Sequence, residues 1–232
     1  MTANATNPYK GLSLAALCLI PLFLNDFVYL YQPSAWLWLI TDWSSKILSG
    51  GLVLLFVTTR RLAFIPENRG FTFVEGLAVT LMAMVTWWIS LKLIPWANDL
   101  ISPAAQFAFT THPSPSVRVI DLGLGLLLTA VVEEVLFRKV FFLALRRTGM
   151  GIVISGVLSV ALFAFCHWSL GLGSCLSAFL FGLGAQAVFI QTGRLLPLVA
   201  AHWAYDFFGL HKLVLLKLTY ALARPRPGAL HH

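Results

Sequence analysis

The stretch GIVISGVLSVALFAF, Gly151 to Phe165, decides the fold of this chain. Its apolar residues run on without the alternation that a barrel strand requires, and Leu195–Ala201 reads the same way. In lipid the backbone must satisfy its own hydrogen bonds, which leaves helices or a closed barrel. An apolar run without a period of two therefore reads as membrane helix. The same composition extends outward along the chain. Of 232 residues, 59% are hydrophobic and 11% charged, against about 25% charged in an ordinary soluble domain. The expected fold is all-α: a polytopic membrane helix bundle of seven or eight helices, with no stretch left for a separate soluble domain.

A span needs about 20 mostly apolar residues. The sequence predicts spans at Leu12–Tyr31, Ile47–Thr58 (or from Ala35), Phe73–Ile94, Val119–Leu145, Gly151–Trp168, Leu172–Gln191 and Leu195–Leu210. Leu213–Ala223 reads as an eighth span or as an interfacial helix. Lys212 and Lys217 favour the interface, and the positions of Arg224 and Arg226 favour a crossing. Proline-containing connections fall at Gln32-Pro33-Ser34, Ile65-Pro66-Glu67-Asn68 and Pro95–Val117. Residues 1–118 are read as N-terminal transmembrane helices and loops, 119–223 as a catalytic transmembrane core, and 224–232 as a C-terminal tail.

Charge gives an orientation. Lys10, Arg60, Arg61, Arg69, Arg146, Arg147 and Arg194 collect on one side, with little beyond Lys46 and Arg118 opposite. A cytoplasmic N-terminus follows, in a multi-pass membrane protein; the expectation of a prokaryotic inner membrane rests separately on the compact length and the lack of added domains. The net charge of +7 suits loops lying against anionic lipid and gives no reason to expect nucleic acid as a partner. The first segment is read as a retained helix, because Asn25-Asp26 interrupts it and no cleavage site follows. Three cysteines in apolar runs, with no CxxC, read as packing residues. The small residues from Gly171 to Gly184 read as a tight helix-packing stripe.

Three patterns break the apolar background: Glu133-Glu134-Val-Leu-Phe-Arg138, Phe163-Ala-Phe-Cys-His167 and His202-Trp-Ala-Tyr-Asp206. A membrane-buried ionisable residue costs roughly 2.5–3.5 kcal/mol on insertion scales, so such residues serve a function or neutralise one another. Glu134 and Arg138 are four apart in the favourable order and can pair within one helix. Glu133 points about 100° away and has no such partner, which suits it to general-base work. His202 and Asp206 also share a face, and a carboxylate beside an imidazole fixes its tautomer. At ~1.5 Å per residue, Glu133, His167, His202 and Asp206 lie ~10–25 Å from one side and can meet in one chamber.

Ser174, Ser177 and Cys166 have no base at a local spacing that marks an activated nucleophile, so water is the simpler attacking group. Glu133 would take a proton from water held with His167. His202, aided by Asp206, would donate to the oxyanion of an attacked amide. Glu134 and Arg138 would be structural or orienting.

These residues resemble the CAAX protease and bacteriocin-processing family, which includes the type II CAAX prenyl endopeptidases and is described as glutamic intramembrane proteases. EExxxR is matched by Glu133-Glu134…Arg138, FxxxH by Phe163…His167, and HxxxN/D by His202…Asp206. Gly193-Arg-Leu-Leu-Pro197 also looks familial, and the resemblance covers roughly Leu122–Gly209. It implies that Glu133 and His167 activate water and that His202 and Asp206 stabilise the oxyanion. The prenyl endopeptidases typically carry asparagine at the position of Asp206. An ionised aspartate cannot donate as an asparagine amide does, so Asp206 is expected to orient His202.

The expected function is an intramembrane endopeptidase without a metal or other cofactor, acting on a membrane-associated protein or precursor peptide in the bilayer. Three alternatives stay open: a zinc-dependent membrane protease, a proton-relay transporter and a membrane chaperone. Among substrates, a precursor peptide or C-terminal sorting signal is placed ahead of a prenylated protein. The oligomeric state has no signal in the sequence.

Overall fold

The computed structural model describes residues 7–30, 34–63, 72–100 and 112–223, and no strand occurs among them. Eight helical elements follow one another: α1 Pro8–Leu30, α2 Ala35–Leu55, α3 Val57–Ala63, α4 Phe73–Leu100, α5 over residues 115–147, α6 Ile152–Phe165, α7 Leu172–Thr192 and α8 Leu196–Ala223. The expected all-α bundle is what the chain forms. By length and composition, three described segments can cross a membrane: Tyr9–Val28, Phe73–Ala97 and Leu172–Thr192; Ile152–Phe165 is apolar but shorter.

Helix α5 is not regular. Its α segments Pro115–Ile120, Leu126–Glu134 and Phe142–Arg147 are joined by two wide turns, Asp121–Gly125 and Val135–Phe141. In each, an N–H reaches back five residues, from Leu126 to the Asp121 carbonyl and from Phe142 to the Phe137 carbonyl. Such wide turns concentrate at functional sites. Neighbouring helices brace these turns with a second donor to a carbonyl in each: Trp203 Nε1–H donates to Gly123 O at 3.0 Å, and the Ser159 hydroxyl donates to Phe137 O.

Helix α7 packs between α4 and α6, while α8 lies on α5 and α4, and α1 on α2 and α5. The small-residue stripe of α7 does the packing expected of it. A Cβ on Gly184 would overlap Met82, and one on Gly182 would crowd Val160 and Phe163. One core links the helices through Val53, Leu136, Phe137, Phe163, Phe181 and Leu198. The outer face of α4 presents Leu77, Leu81, Met84, Val85, Trp88 and Trp96, a continuous apolar surface suited to lipid.

Several boundaries differ from the sequence reading. The second span takes the longer of its two readings and starts at Ala35, where the Ser34 hydroxyl caps the helix. It ends at Leu55, because Phe56 is extended (φ −80°, ψ 116°). Lys46 is therefore buried in mid-helix beside Asp42 and is no loop charge. Pro95 does not open a connection: α4 runs through it to Leu100, giving up only the bond to the Leu91 carbonyl. Leu213–Ala223 is neither a separate span nor a separate interfacial helix, since α8 continues unbroken to Ala223. Arg194 is buried and paired with Glu75 at 3.0 Å, so it too is not a free loop charge. Gln32-Pro33, Ile65–Asn68, Arg69 and the tail 224–232 lie outside the described residues.

Candidate active site

Glu133 and Glu134 close the Leu126–Glu134 segment of α5, immediately before the second wide turn. Glu134 is fully buried, and both its oxygens are taken. Arg138 Nε–H donates to Oε2 at 3.0 Å, and His202 Nδ1–H donates to Oε1 at 2.9 Å. The pairing within the helix was legible from the four-residue spacing; the histidine from α8 was not.

Arg138 is 0% exposed, and its guanidinium carbon lies 4.6 Å from the centre of the Phe163 ring. This cation–π contact gives the buried charge a second partner. Phe163 stands edge-on to His202 at 5.7 Å, and Phe181 flanks the same imidazole at 5.2 Å. Gly182 admits Phe163 to this position.

With Nδ1 committed to Glu134, His202 turns Nε2 toward the other two carboxylates. Asp206 Oδ2 is 3.4 Å away and Glu133 Oε2 is 3.7 Å away. Asp206 was expected to orient the ring; in the structure Glu134 holds Nδ1 and Asp206 faces the opposite nitrogen. Glu133 is buried at 8% exposure, and its Oε2 has no hydrogen-bond partner in the protein.

His167 sits just past the end of α6, at the entry to the Trp168–Leu170 turn. Gly171, at φ 93°, closes that turn with a backbone conformation that favours glycine. His167 Nδ1 lies 2.9 Å from the Phe163 carbonyl. A carbonyl only accepts, so Nδ1 carries the hydrogen, and in the neutral ring Nε2 keeps its lone pair. His167 lies within electrostatic range of Glu133, but its own hydrogen bond goes to Phe163. The structure therefore gathers Glu133, Glu134, Arg138, His202 and Asp206 in direct contact and leaves His167 one step away.

Two further groups escaped the sequence reading. Ser90, Ser177 and Tyr205, from α4, α7 and α8, join their hydroxyls: Ser90 is 2.5 Å from Ser177 and 2.8 Å from Tyr205, and Ser177 bonds Tyr205. Asn25, Asp26, Asp42 and Lys46 are buried on α1 and α2. The criterion that singled out Glu133, an ionisable residue inside an apolar segment, applies equally to Asp26 and to the Asp42/Lys46 pair. Among the described residues, no three His, Cys, Asp or Glu side chains form a group able to hold a metal ion.

Three carboxylates, an arginine and an imidazole collected inside an apolar helical bundle are the mark of a functional site in a membrane protein. Residues 115–208 match the family model described as type II CAAX prenyl endopeptidase Rce1-like, which spans all three motifs and none of helices α1–α4. The resemblance carried by the motifs therefore holds over that segment, and the family points to a peptidase acting on a protein or peptide in the membrane. No curated protein and no solved structure matches the chain significantly.

Proposed function

We propose that the chain is an intramembrane endopeptidase in which the Glu133 carboxylate and His167 activate water. The observation that carries this reading is the asymmetry of the two glutamates. Glu134 is saturated by Arg138 and His202, whereas Glu133, its neighbour, is buried and its carboxylate accepts no hydrogen bond from the described residues.

Glu133 takes a proton from water as the oxygen attacks the carbonyl carbon of the scissile amide, with Nε2 of His167 accepting the water's second hydrogen bond. The carbonyl oxygen becomes the oxyanion. His202, as the imidazolium, meets it with Nε2–H, its other N–H being fixed on Glu134. Asp206, beside Nε2, supports that charge. As the tetrahedral adduct collapses, the C–N bond breaks and Glu133 returns the proton to the leaving amine. Preorganised donors of this kind are commonly worth a few kcal/mol in the transition state. The substrate is a membrane-associated polypeptide, in the proposed form a precursor peptide or a C-terminal sorting signal. The N-terminus is assigned to the cytoplasmic side.

The test compares peptide termini in membranes from cells carrying the wild type, Glu133→Gln or no protein. A new terminus made only by the wild type is expected. Identical termini in all three, at equal expression, would remove the protease reading.

A further inference from the structure

The buried polar groups of α1 and α2 lie outside residues 115–208, and the mechanism above makes no use of them. Asn25 Nδ2–H donates to Asp42 Oδ1 at 3.2 Å, and Asp42 Oδ2 takes the Lys46 ammonium. This chain ties α1 to α2 one residue from Asp26.

Two contacts fix α2 against α5. Trp43 Nε1–H donates to Asp121 Oδ1 at 2.7 Å, and Gly50 faces Val132. Trp43 to Gly50 and Asp121 to Val132 both ascend, so the helices run in the same direction. Lys46, one turn before Gly50, then comes opposite the turn of α5 that precedes Val132. A helical side chain leans toward the N-terminal end of its helix, so Glu133 leans into that same turn. The charge of Lys46 accordingly acts on Glu133.

Helix α1 is fixed against the His167 turn by two ring contacts, Phe23 with Phe165 at 5.7 Å and Phe27 with Trp168 at 5.3 Å. Asp26 falls between them in sequence. Ser169 lies against Asp26, and the charge of Glu133 acts on it.

Three buried oxygens on these facing elements lack a hydrogen-bond partner in the protein: Asp26 Oδ2, Ser169 Oγ and Glu133 Oε2. Their residues are 6%, 1% and 8% exposed. Burying such groups unsatisfied is costly. Where several converge, an ordered water satisfies them, each water taking about two to four polar partners.

We propose that Asp26 and Ser169 hold an ordered water against Glu133 Oε2, which makes Asp26 a positioning residue for the water-activating glutamate. A water has two hydrogens and two lone pairs. Here it donates to Asp26 Oδ2 and Glu133 Oε2 and accepts from the Ser169 hydroxyl. The bridge pins one oxygen of Glu133 and leaves Oε1 to face the reacting water. The catalytic consequence rests on the protease reading; the bridge itself does not.

The experiment has two arms. In the first, the wild type, Asp26→Asn, Asp26→Glu, Ser169→Ala and Glu133→Gln are reconstituted in lipid vesicles with the peptide identified by terminus mapping. Asp26→Asn is expected to lower kcat roughly 10- to 100-fold and to leave KM within about twofold. It also displaces the acid limb of the pH–rate profile, and Asp26→Glu restores part of the rate. Ser169→Ala lowers kcat less, and it carries the test if Asp26→Asn does not fold. An Asp26→Asn protein with wild-type kcat and pH profile, beside an inactive Glu133→Gln, overturns the proposal while the protease reading stands.

The second arm needs no activity. In an experimental structure that resolves water, a water within about 3.2 Å of Asp26, Ser169 and Glu133 is expected. Asp26 Oδ2 bonded directly to a protein donor, with no water there, overturns the bridge. If the wild type cleaves nothing, the protease reading falls, and this arm alone decides the bridge.

Discussion

Glu134 and His202, 68 residues apart in sequence, are joined by a 2.9 Å hydrogen bond from Nδ1–H to Oε1. The same carboxylate neutralises Arg138, so one side chain orients the imidazole and balances a fully buried cation. Removing it leaves that cation without its counter-charge. Glu134→Ala is expected to lose about 3–5 kcal/mol of stability, the usual result of breaking a buried ion pair. Thermal unfolding in detergent measures it. Glu133→Gln, with no such cation to strand, is expected to unfold near the wild-type temperature while losing cleavage.

Asp206 faces His202 Nε2 at 3.4 Å from a partly exposed position. Asparagine fits the same space and can donate as well as accept. Asp206→Asn is therefore expected to keep most of the cleavage rate. Asp206→Ala, which leaves only Glu133 at that end of the imidazole, should lose on the order of 10²-fold in kcat. Single-turnover rates on the mapped peptide separate the two.

The Ser90–Ser177–Tyr205 hydroxyl cluster pins α8 next to Asp206, and Phe181 links the Tyr205 ring (5.0 Å) to His202. Tyr205→Phe removes the shared hydroxyl and keeps the ring. The expected cost is about 1–3 kcal/mol in stability, because two buried serine hydroxyls lose a partner. A denaturation midpoint for this variant, compared with Ser90→Ala, checks it.

Chelation separates the two protease chemistries. The described residues contain no metal-holding group of three or more His, Cys, Asp or Glu. Cleavage is accordingly expected to survive prolonged treatment with a strong zinc chelator. Loss of activity that added zinc restores would reverse that expectation.

The sequence conveyed the helical class because apolar runs such as Gly151–Phe165 exclude alternation. It conveyed the Glu134/Arg138 pair because both ends sit on one helix at a fixed spacing. The contact from His202 to Glu134 joins two helices, and no local period encodes which nitrogen meets which carboxylate. Lys46 was misplaced for a related reason. Asp42 neutralises it four residues away, so a charge that reads as a loop marker is tolerated inside a helix. Leu213–Ala223 was detached from its helix at His211-Lys212, although a polar pair does not itself break a backbone. The wide turns of α5 left no trace, since no local residue pattern marks them and the side chains that brace them, Trp203 and Ser159, come from other helices.

Those wide turns give α5 three rotational phases in place of one. The nine residues Leu126–Glu134 are offset from the helix on either side, so the aim of the two glutamates is set apart from the faces that seat the helix ends. An N–H that reaches back five residues spans one residue more than an α-helical turn, so deleting one residue between Val135 and Phe141 would let that turn close as ordinary α-helix. Phe142, Ala144 and Leu145 would keep their seats in the core. The surplus residue is absorbed locally, between the half of the helix that carries the carboxylates and the half that anchors it.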